Sequence, residues 1–259
     1  MQESNPFSLV GKRALVAGAS RGIGLAIARE VARAGAHTIL AARSVGDLDR
    51  AVEQIRGEGG SAEAVRLDVT DRESVRRAVE ECGDLDILHA VSGMNIRKDF
   101  LTYSREEYEQ IMNTNLHGIV ELVKQAGERM IARGRGGKIV LIGSLMSLVG
   151  LPYLTAYAMT KSALAGLTRT LAAEWARYGI QVNCIAPGFI VTDLNRAIWE
   201  KEENLNWLKG VQAIPEPGKP EDIAPMAVLL SGAGSDFITG QVIAIDGGYT
   251  TTAVWPFRP

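Results

Sequence analysis

Two cysteines, three histidines and no block of like charge leave this 259-residue chain poorly equipped for disulfides, metals or polyanions. Cys82 and Cys184 stand far apart and without metal-ligand spacing, so they read as reduced, buried thiols of a cytoplasmic protein. His37, His89 and His117 are scattered, with no carboxylates at ligand spacing, and each reads as a packing or surface residue; no metal is expected. A net charge of −2, with neither a basic block nor an acidic tail, argues against nucleic acid or a membrane surface as partner. The N-terminus has no basic stretch followed by an apolar core, so no signal peptide is expected. Residues 139–160 form an uncharged run of 22, long enough to span a bilayer. The run contains Gly143, Gly150, Pro152, hydroxyl residues and two tyrosines, and reads instead as a buried strand, a loop and a helix start. No linker, repeat or low-complexity stretch divides the chain.

What is present is an alternation. Short apolar runs are expected as strands at 12–17, 37–41, 62–67, 85–90, 138–142, 180–185 and 241–245. Helical patterns lie between them, including one long helix opened by the capping box Ser104-Arg-Glu-Glu107 and running to about Ala132. Another starts at Pro220, with Glu221 and Asp222 in its first turn. Seven strands alternating with helices predict an α/β fold: one doubly wound, Rossmann-type parallel sheet covered on both faces. The expected boundaries are a tail over 1–10, the domain over 11–249 with a substrate loop at about 189–219, and a tail over 250–259.

The first strand is followed by Gly18-Ala-Ser-Arg-Gly22-Ile-Gly24 and then by a helical pattern. A strand, a glycine-rich turn and a helix form a dinucleotide-binding opening, in which a pyrophosphate rests on the helix N-terminus. After the second strand the chain reads Ala41-Ala42-Arg43-Ser44, with no acid before Asp47. A carboxylate there suits the two ribose hydroxyls of NAD, whereas Arg43, aided by Arg21, suits a 2′-phosphate. NADP(H) is therefore expected in preference to NAD(H).

Ser144 ends the fifth apolar run, and Tyr157 and Lys161 sit four apart in a helical stretch, hence on one helix face. An isolated phenol titrates near about 10, which leaves roughly 4 kcal/mol between it and phenolate at neutral pH. A neighbouring ammonium lowers that gap, so the pair is expected to give or take a proton at a carbonyl or alcohol oxygen, with the Ser144 hydroxyl bonded to the same oxygen. On the long helix, Asn115 lies in an apolar stripe with Ile111, Ile119 and Leu122, and either satisfies a neighbouring loop or anchors a water.

Together these motifs resemble the short-chain dehydrogenase/reductase family in its single-domain form, over residues 11–249. The resemblance rests on Gly18-x-x-x-Gly22-x-Gly24, Asp68-Val69, Asn115-x-x-Gly118, Ser144, Tyr157-x-x-x-Lys161, Asn183-x-x-x-Pro187-Gly188-x-x-x-Thr192, Pro220-Glu-Asp-Ile223 and Ile238-Thr-Gly-Gln241 with Asp246-Gly-Gly248. Within the family, the pattern around Asn95-Ile-Arg97 looks most like the sugar-acid dehydrogenases, with the 3-oxoacyl-carrier-protein reductases close behind. The resemblance implies Tyr157 as general acid/base, Lys161 as the group that lowers its pKa and holds the nicotinamide ribose, Ser144 as the residue that orients the substrate, and Asn115 as the anchor of a water. It implies a cofactor site of Gly18, Ser20, Arg21, Gly22, Ile23, Gly24, Arg43, Ser44, Asp68, Val69, Ser92, Gly93, Pro187, Gly188, Ile190 and Thr192, joined by Asn115, Tyr157 and Lys161. It also implies a cytoplasmic homo-oligomer, tetramer or dimer, interconverting a ketone and a secondary alcohol. The alternatives are a catalytically silent NADP-binding regulatory or scaffold protein, and an epimerase or dehydratase using the same pair.

Four departures from the family pattern stand out: Ala17 in place of a threonine, Ala90-Val91-Ser92-Gly93 in place of Asn-Asn-Ala-Gly, a short link at 214–220, and Pro225 within a helix. Met94, Asn95, Arg97, Met146 and Phe189 are expected to line the pocket, Trp199 and Trp207 to form a lid, and Trp255 and Phe257 to pack on a neighbouring subunit.

Overall fold

In the computed structural model, which describes residues 5–193 and 195–252, each expected strand is present within two residues of its expected ends. The first half runs β1 (Arg13–Ala17), α1 (Gly22–Arg33), β2 (His37–Ala42), α2 (Val45–Gly57), β3 (Ser61–Arg66), α3 (Arg72–Glu81) and β4 (Ile87–Ala90). Then follow α4 (Arg105–Met112), a π-helical turn (Asn113–His117), α5 (Gly118–Arg133), β5 (Gly137–Ile142), α6 (Thr155–Trp175) and β6 (Ile180–Pro187). The chain closes with α7 (Arg196–Trp199), α8 (Glu202–Lys209), α9 (Pro220–Ser231) and β7 (Val242–Ile245).

The strands form a single seven-stranded sheet in the order β3-β2-β1-β4-β5-β6-β7, every pair parallel. Side-chain alternation sends Leu15 and Ala17 to the face covered by α3, α5 and α6, and Ala14 and Val16 to the face covered by α1, α2 and α9. Burying each large aliphatic side chain contributes about 1.5–3 kcal/mol, which makes these two clusters the main source of stability. The order reverses between β1 and β4, so their C-terminal ends open a crevice at the topological switch point.

The long helix departs from its expected form. Ser104 and Glu107 do make the capping box, with bonds of 3.2 and 2.8 Å. The helix then widens by one π turn at Asn115 before continuing as α5, a feature that heptad-scale periodicity does not reveal. Pro225 lies inside α9, which nonetheless continues to Ser231. The segment expected as a substrate loop contains the short helices α7 and α8. Of the expected N-terminal tail, Leu9 is fully buried with its N–H on the Ala34 carbonyl, and the Pro6 carbonyl accepts from the Gly234 N–H. Past β7, Thr250 bonds to the Asp246 carboxylate through both its N–H and its hydroxyl, while Trp255 and Phe257 lie outside the described residues. No helix among the described residues is long and apolar enough to cross a membrane.

His89 of β4 is fully buried against α9. The Ser231 hydroxyl gives its proton to the Ala227 carbonyl at 2.7 Å, so His89 Nε2–H must be the donor in the 3.0 Å contact with Ser231. Nδ1 has no partner among the described residues, and burial lowers the imidazole pKa to about 3. Since the unfolded chain protonates this group near pH 6.5, it binds more protons than the folded one between about 6.5 and 3. Stability should therefore be lost as pH is lowered across that window, by up to roughly 1.4 kcal/mol per unit from this group. His89→Gln, which keeps an N–H for Ser231 but does not titrate, should flatten the acid limb of a thermal-midpoint series; an unchanged slope would assign the acid sensitivity elsewhere.

Candidate active site

The parallel sheet carries nearly all of the sequence-predicted residues to one edge, the C-terminal ends of its strands. Gly18, Ser20 and Arg21 fill the turn after β1, and Gly22, Ile23 and Gly24 begin α1. Gly18 has φ +92°, and a Cβ there would lie 2.8 Å from Ser92 N, so the β1 and β4 loops touch across the crevice. A Cβ on Gly24 would lie 2.0 Å from the Gly18 carbonyl oxygen, so the turn closes on the helix only with glycine at that position. Helix α1 has no side-chain cap and no acid in its first turn. Its N-terminal N–H groups and the positive end of its dipole are therefore left for an anion.

Arg43 and Ser44 follow β2, both exposed. Asp47, the first acid beyond them, is paired with Arg50. Neither Arg43 nor Arg21 has an ion-pair partner among the described residues. Asp68, after β3, accepts from the Thr70 N–H and hydroxyl; those bonds, with Arg43 and Arg66 nearby, outweigh burial and hold its carboxyl below the usual range. Beside it, the Val69 carbonyl packs so closely on Gly118 of α5 that a Cβ would sit 2.3 Å away.

Beyond β4, Gly93 approaches the catalytic candidates. A Cβ on it would stand 3.5 Å from Asn115 Oδ1 and 3.6 Å from Lys161 Nζ. Asn115 is fully buried in the π turn, where Oδ1 accepts from Met94 N–H at 2.8 Å and Nδ2 donates to the Met94 carbonyl at 2.7 Å. Of the two readings of this amide, the structure shows the loop-satisfying one, which leaves one lone pair of Oδ1 for a water. The amide thus holds in place the strand end where Ala90-Val91 stand for two asparagines.

Ser144 follows β5, while Tyr157 and Lys161 lie on α6. The Lys161 ammonium is buried, donates to the Ile142 carbonyl at 2.7 Å and lies 5.5 Å from the Tyr157 ring centre. Burial lowers its pKa to about 8, so it remains mostly charged at neutral pH. Burial pushes the Tyr157 phenol above its ordinary value, against a downward pull from the Ser144 hydroxyl. The expected lowering of the phenol by Lys161 is therefore not what this arrangement gives: desolvation prevails, and the ammonium is engaged with Ile142.

After β6, Gly188 packs against Asp246, where a Cβ would meet its Cα at 2.6 Å. Ile190 turns its side chain into the α1/α9 cluster. Thr192 reaches the Gly-rich turn, with Cγ2 3.5 Å from where a Gly22 Cβ would be. Asn195 holds that loop by accepting from Thr192 N–H and donating to the Ile190 carbonyl, a role sequence reading missed although Asn is a common organiser of local turns.

The expected lid is an aromatic cluster. Phe189 meets Trp199, Trp207 and Tyr249 edge-on, with ring centres 5.4, 5.4 and 5.1 Å apart. Phe189, Tyr249 and Tyr157 all pack on Leu145, Met146 and Leu154. Tyr249 also lines a cleft of about 340 Å³ with Val149, Gly150, Gly210, Val211 and Thr252. Asn95 and Arg97 are exposed, and His37 and His117 lie away from these contacts. Among the described residues no group of three or more His, Cys, Asp or Glu is placed to hold a metal.

A family model described as enoyl-(acyl carrier protein) reductase matches residues 18–250. The chain belongs to the short-chain dehydrogenase/reductase family. It is 37% identical to the gluconate 5-dehydrogenase of Gluconobacter oxydans, over 97% of this chain and 100% of that one. It is 36% identical to a tropinone reductase homolog of Arabidopsis thaliana, over 96% of both chains. Among solved structures, a gluconate 5-dehydrogenase from Burkholderia cenocepacia in complex with NADP and tartrate superposes with a TM-score of 0.92, at 36% identity over 96% of this chain and 98% of that one. This family member is thus an oxidoreductase with the family's seven-stranded fold intact.

Proposed function

We propose that the protein is an NADP(H)-dependent oxidoreductase that interconverts a ketone and a secondary alcohol, with Tyr157 as general acid/base. The observation that carries this reading is the meeting of Ser144, Tyr157 and Lys161 beside a glycine-rich turn whose helix end is uncapped. The cradle fits a dinucleotide: side chains at Gly18 or Gly24 would fill it, and Arg21 and Arg43, without ion-pair partners among the described residues, stand where a ribose phosphate would lie. Gly22, Ile23 and Gly24 would hold the pyrophosphate, Ser20 and Ser44 would add hydroxyl donors, and Asp68 and Val69 would flank the adenine. Ser92, Gly93, Pro187, Gly188, Thr192 and the Ile190 backbone would hold the nicotinamide end.

NADP(H), when bound, supplies or accepts a hydride at the substrate carbon. Tyr157 donates its proton to the carbonyl oxygen in reduction, and its raised pKa keeps that proton in place at neutral pH. The Ser144 hydroxyl binds the same oxygen and draws it toward the phenol. Lys161 has three donors and uses one on Ile142, which leaves two for ribose hydroxyls and a water. Asn115 holds the Gly93–Met94 loop in place beside that ammonium. The aromatic cluster of Phe189, Trp199, Trp207 and Tyr249 would serve as the lid over the substrate.

The names of the relatives, a gluconate 5-dehydrogenase and a tropinone reductase homolog, support ketone chemistry, and the NADP in a neighbouring structure supports the cofactor. Buried thiols, with Cys82 pushed up to about 12 by desolvation, suit a cytoplasmic enzyme, and the family likeness suits a homodimer or homotetramer. The test is oxidation of NADPH and NADH with 5-ketogluconate, a short 3-oxoacyl thioester and an aromatic ketone. NADPH should be preferred, and Arg43→Ala should raise its KM roughly tenfold while barely moving that of NADH. Equal effects on both nucleotides would remove Arg43 from the 2′-phosphate site.

A further inference from the structure

Two serines outside the expected site join its halves. Ser144 begins a 3₁₀ turn, Leu145–Ser147, while Tyr157 and Lys161 belong to α6. Helix α6 starts at Thr155 with no side-chain cap, only two residues before Tyr157. Its first turn is therefore not held from its own end.

The tie lies further along. Ser147 Oγ donates to the Lys161 carbonyl at 2.8 Å and accepts from the Ser144 N–H at 3.3 Å. Ser147 N–H returns to the Ser144 carbonyl at 2.8 Å. In the opposite sense, Ser162 Oγ donates to the Met146 carbonyl at 2.9 Å. One hydroxyl thus reaches from turn to helix and the next from helix to turn, at the residues adjoining Ser144 and at Lys161 itself. Gly143 makes room: a Cβ there would stand 2.7 Å from Ser147 Oγ and 2.7 Å from Cys184 Sγ. Leu145 and Met146 are buried and anchor the turn from below.

We infer that Ser147, with Ser162 as its reciprocal partner, is a positioning residue that sets the distance between the Ser144 hydroxyl and the Tyr157 phenol. The clamp acts through Ser144 and Lys161 and touches neither substrate nor nucleotide. Proton transfer depends steeply on such placement, whereas nucleotide binding at the Gly-rich turn does not. The other titratable group against the Tyr157 ring is Lys161, whose ammonium is held by the Ile142 carbonyl and by neither serine.

The inference rests on the proposed reaction, so its test has one readout in turnover and one outside it. In Ser147→Ala, kcat should fall roughly tenfold or more while the NADPH KM stays within about twofold. Independently, the ionisation of Tyr157, read as the ultraviolet difference titration against Tyr157→Phe, should move to more alkaline pH, because a loosened Ser144 stabilises the phenolate less. Ser162→Ala should show a smaller loss of kcat, and Ser162→Thr, which keeps the hydroxyl on the helix, should restore it; this pair carries the test if Ser147→Ala does not fold. An unchanged kcat and titration in Ser147→Ala, or a parallel loss of kcat and nucleotide affinity, would overturn the clamp. If the wild-type protein reduces no carbonyl, the proposed reaction fails, while the Tyr157 titration still decides whether the clamp holds.

Discussion

Replacing Tyr157 with Phe is expected to lower kcat for carbonyl reduction by about 10²–10⁴-fold, the range that general acid catalysis supplies. The change removes one oxygen from a ring that packs on Leu145, Met146 and Leu154, so the packing survives. NADPH should still bind, because the glycine-rich turn and the arginines are untouched. The wild-type pH profile should be asymmetric. Reduction needs the protonated phenol, which burial favours, so it should hold its rate through neutral pH. Oxidation of the alcohol needs the phenolate, so it should climb as pH rises. Steady-state kinetics in both directions check this, and a Tyr157→Phe enzyme within tenfold of wild type would assign the proton to another group.

Lys161→Met should abolish turnover while leaving the protein at least as stable as before at neutral pH. The ammonium is buried with one carbonyl partner, and its folded pKa is about 8 against an ordinary 10.5. Holding it charged therefore costs roughly 3 kcal/mol below pH 8. Against that, the Ile142 carbonyl loses its donor, a loss of about 1–3 kcal/mol. The sign of the pH dependence follows from the lowered pKa: the unfolded chain binds the extra proton between pH 8 and 10.5, so wild-type stability rises with pH across that window. Lys161→Met lacks this rise, so any advantage it has at pH 7 should shrink toward pH 10.5. Thermal midpoints at a series of pH values check it. A variant markedly less stable at pH 7, or one with the same alkaline slope as wild type, would mean that the lysine is not held against its desolvation.

The parts of this fold that were legible in the sequence are those fixed by local chain physics. A helix face brings Tyr157 and Lys161 together, a capping box starts α4 at Ser104, and a strand tip carries Ser144. Glycine spacing shaped the turn after β1, where Gly18 needs a positive φ and Gly24 needs the absence of a side chain. The strand alternation, once read as parallel, places every strand tip at one edge.

What was not legible depends on contacts between distant segments. The π turn at Asn115 leaves no periodic mark over five residues. Whether the Asn115 amide serves a loop or a water is decided by Met94, 21 residues away. Ser147 and Ser162 are common residue types in unremarkable positions, and only the docking of the turn on α6 pairs them. The phenol's raised pKa likewise comes from burial, with the ring packed on Leu145, Met146 and Leu154, a quantity that a Tyr-x-x-x-Lys spacing does not encode.

The most direct test of the account is to supply NADPH deuterated at the transferable nicotinamide carbon together with a ketone that the enzyme reduces, and to locate the label in the alcohol. Deuterium is expected on the carbinol carbon, one per NADP formed, with loss of that transfer in Tyr157→Phe. An alcohol formed without label, or a product that returns the nucleotide still reduced and still labelled, would contradict it.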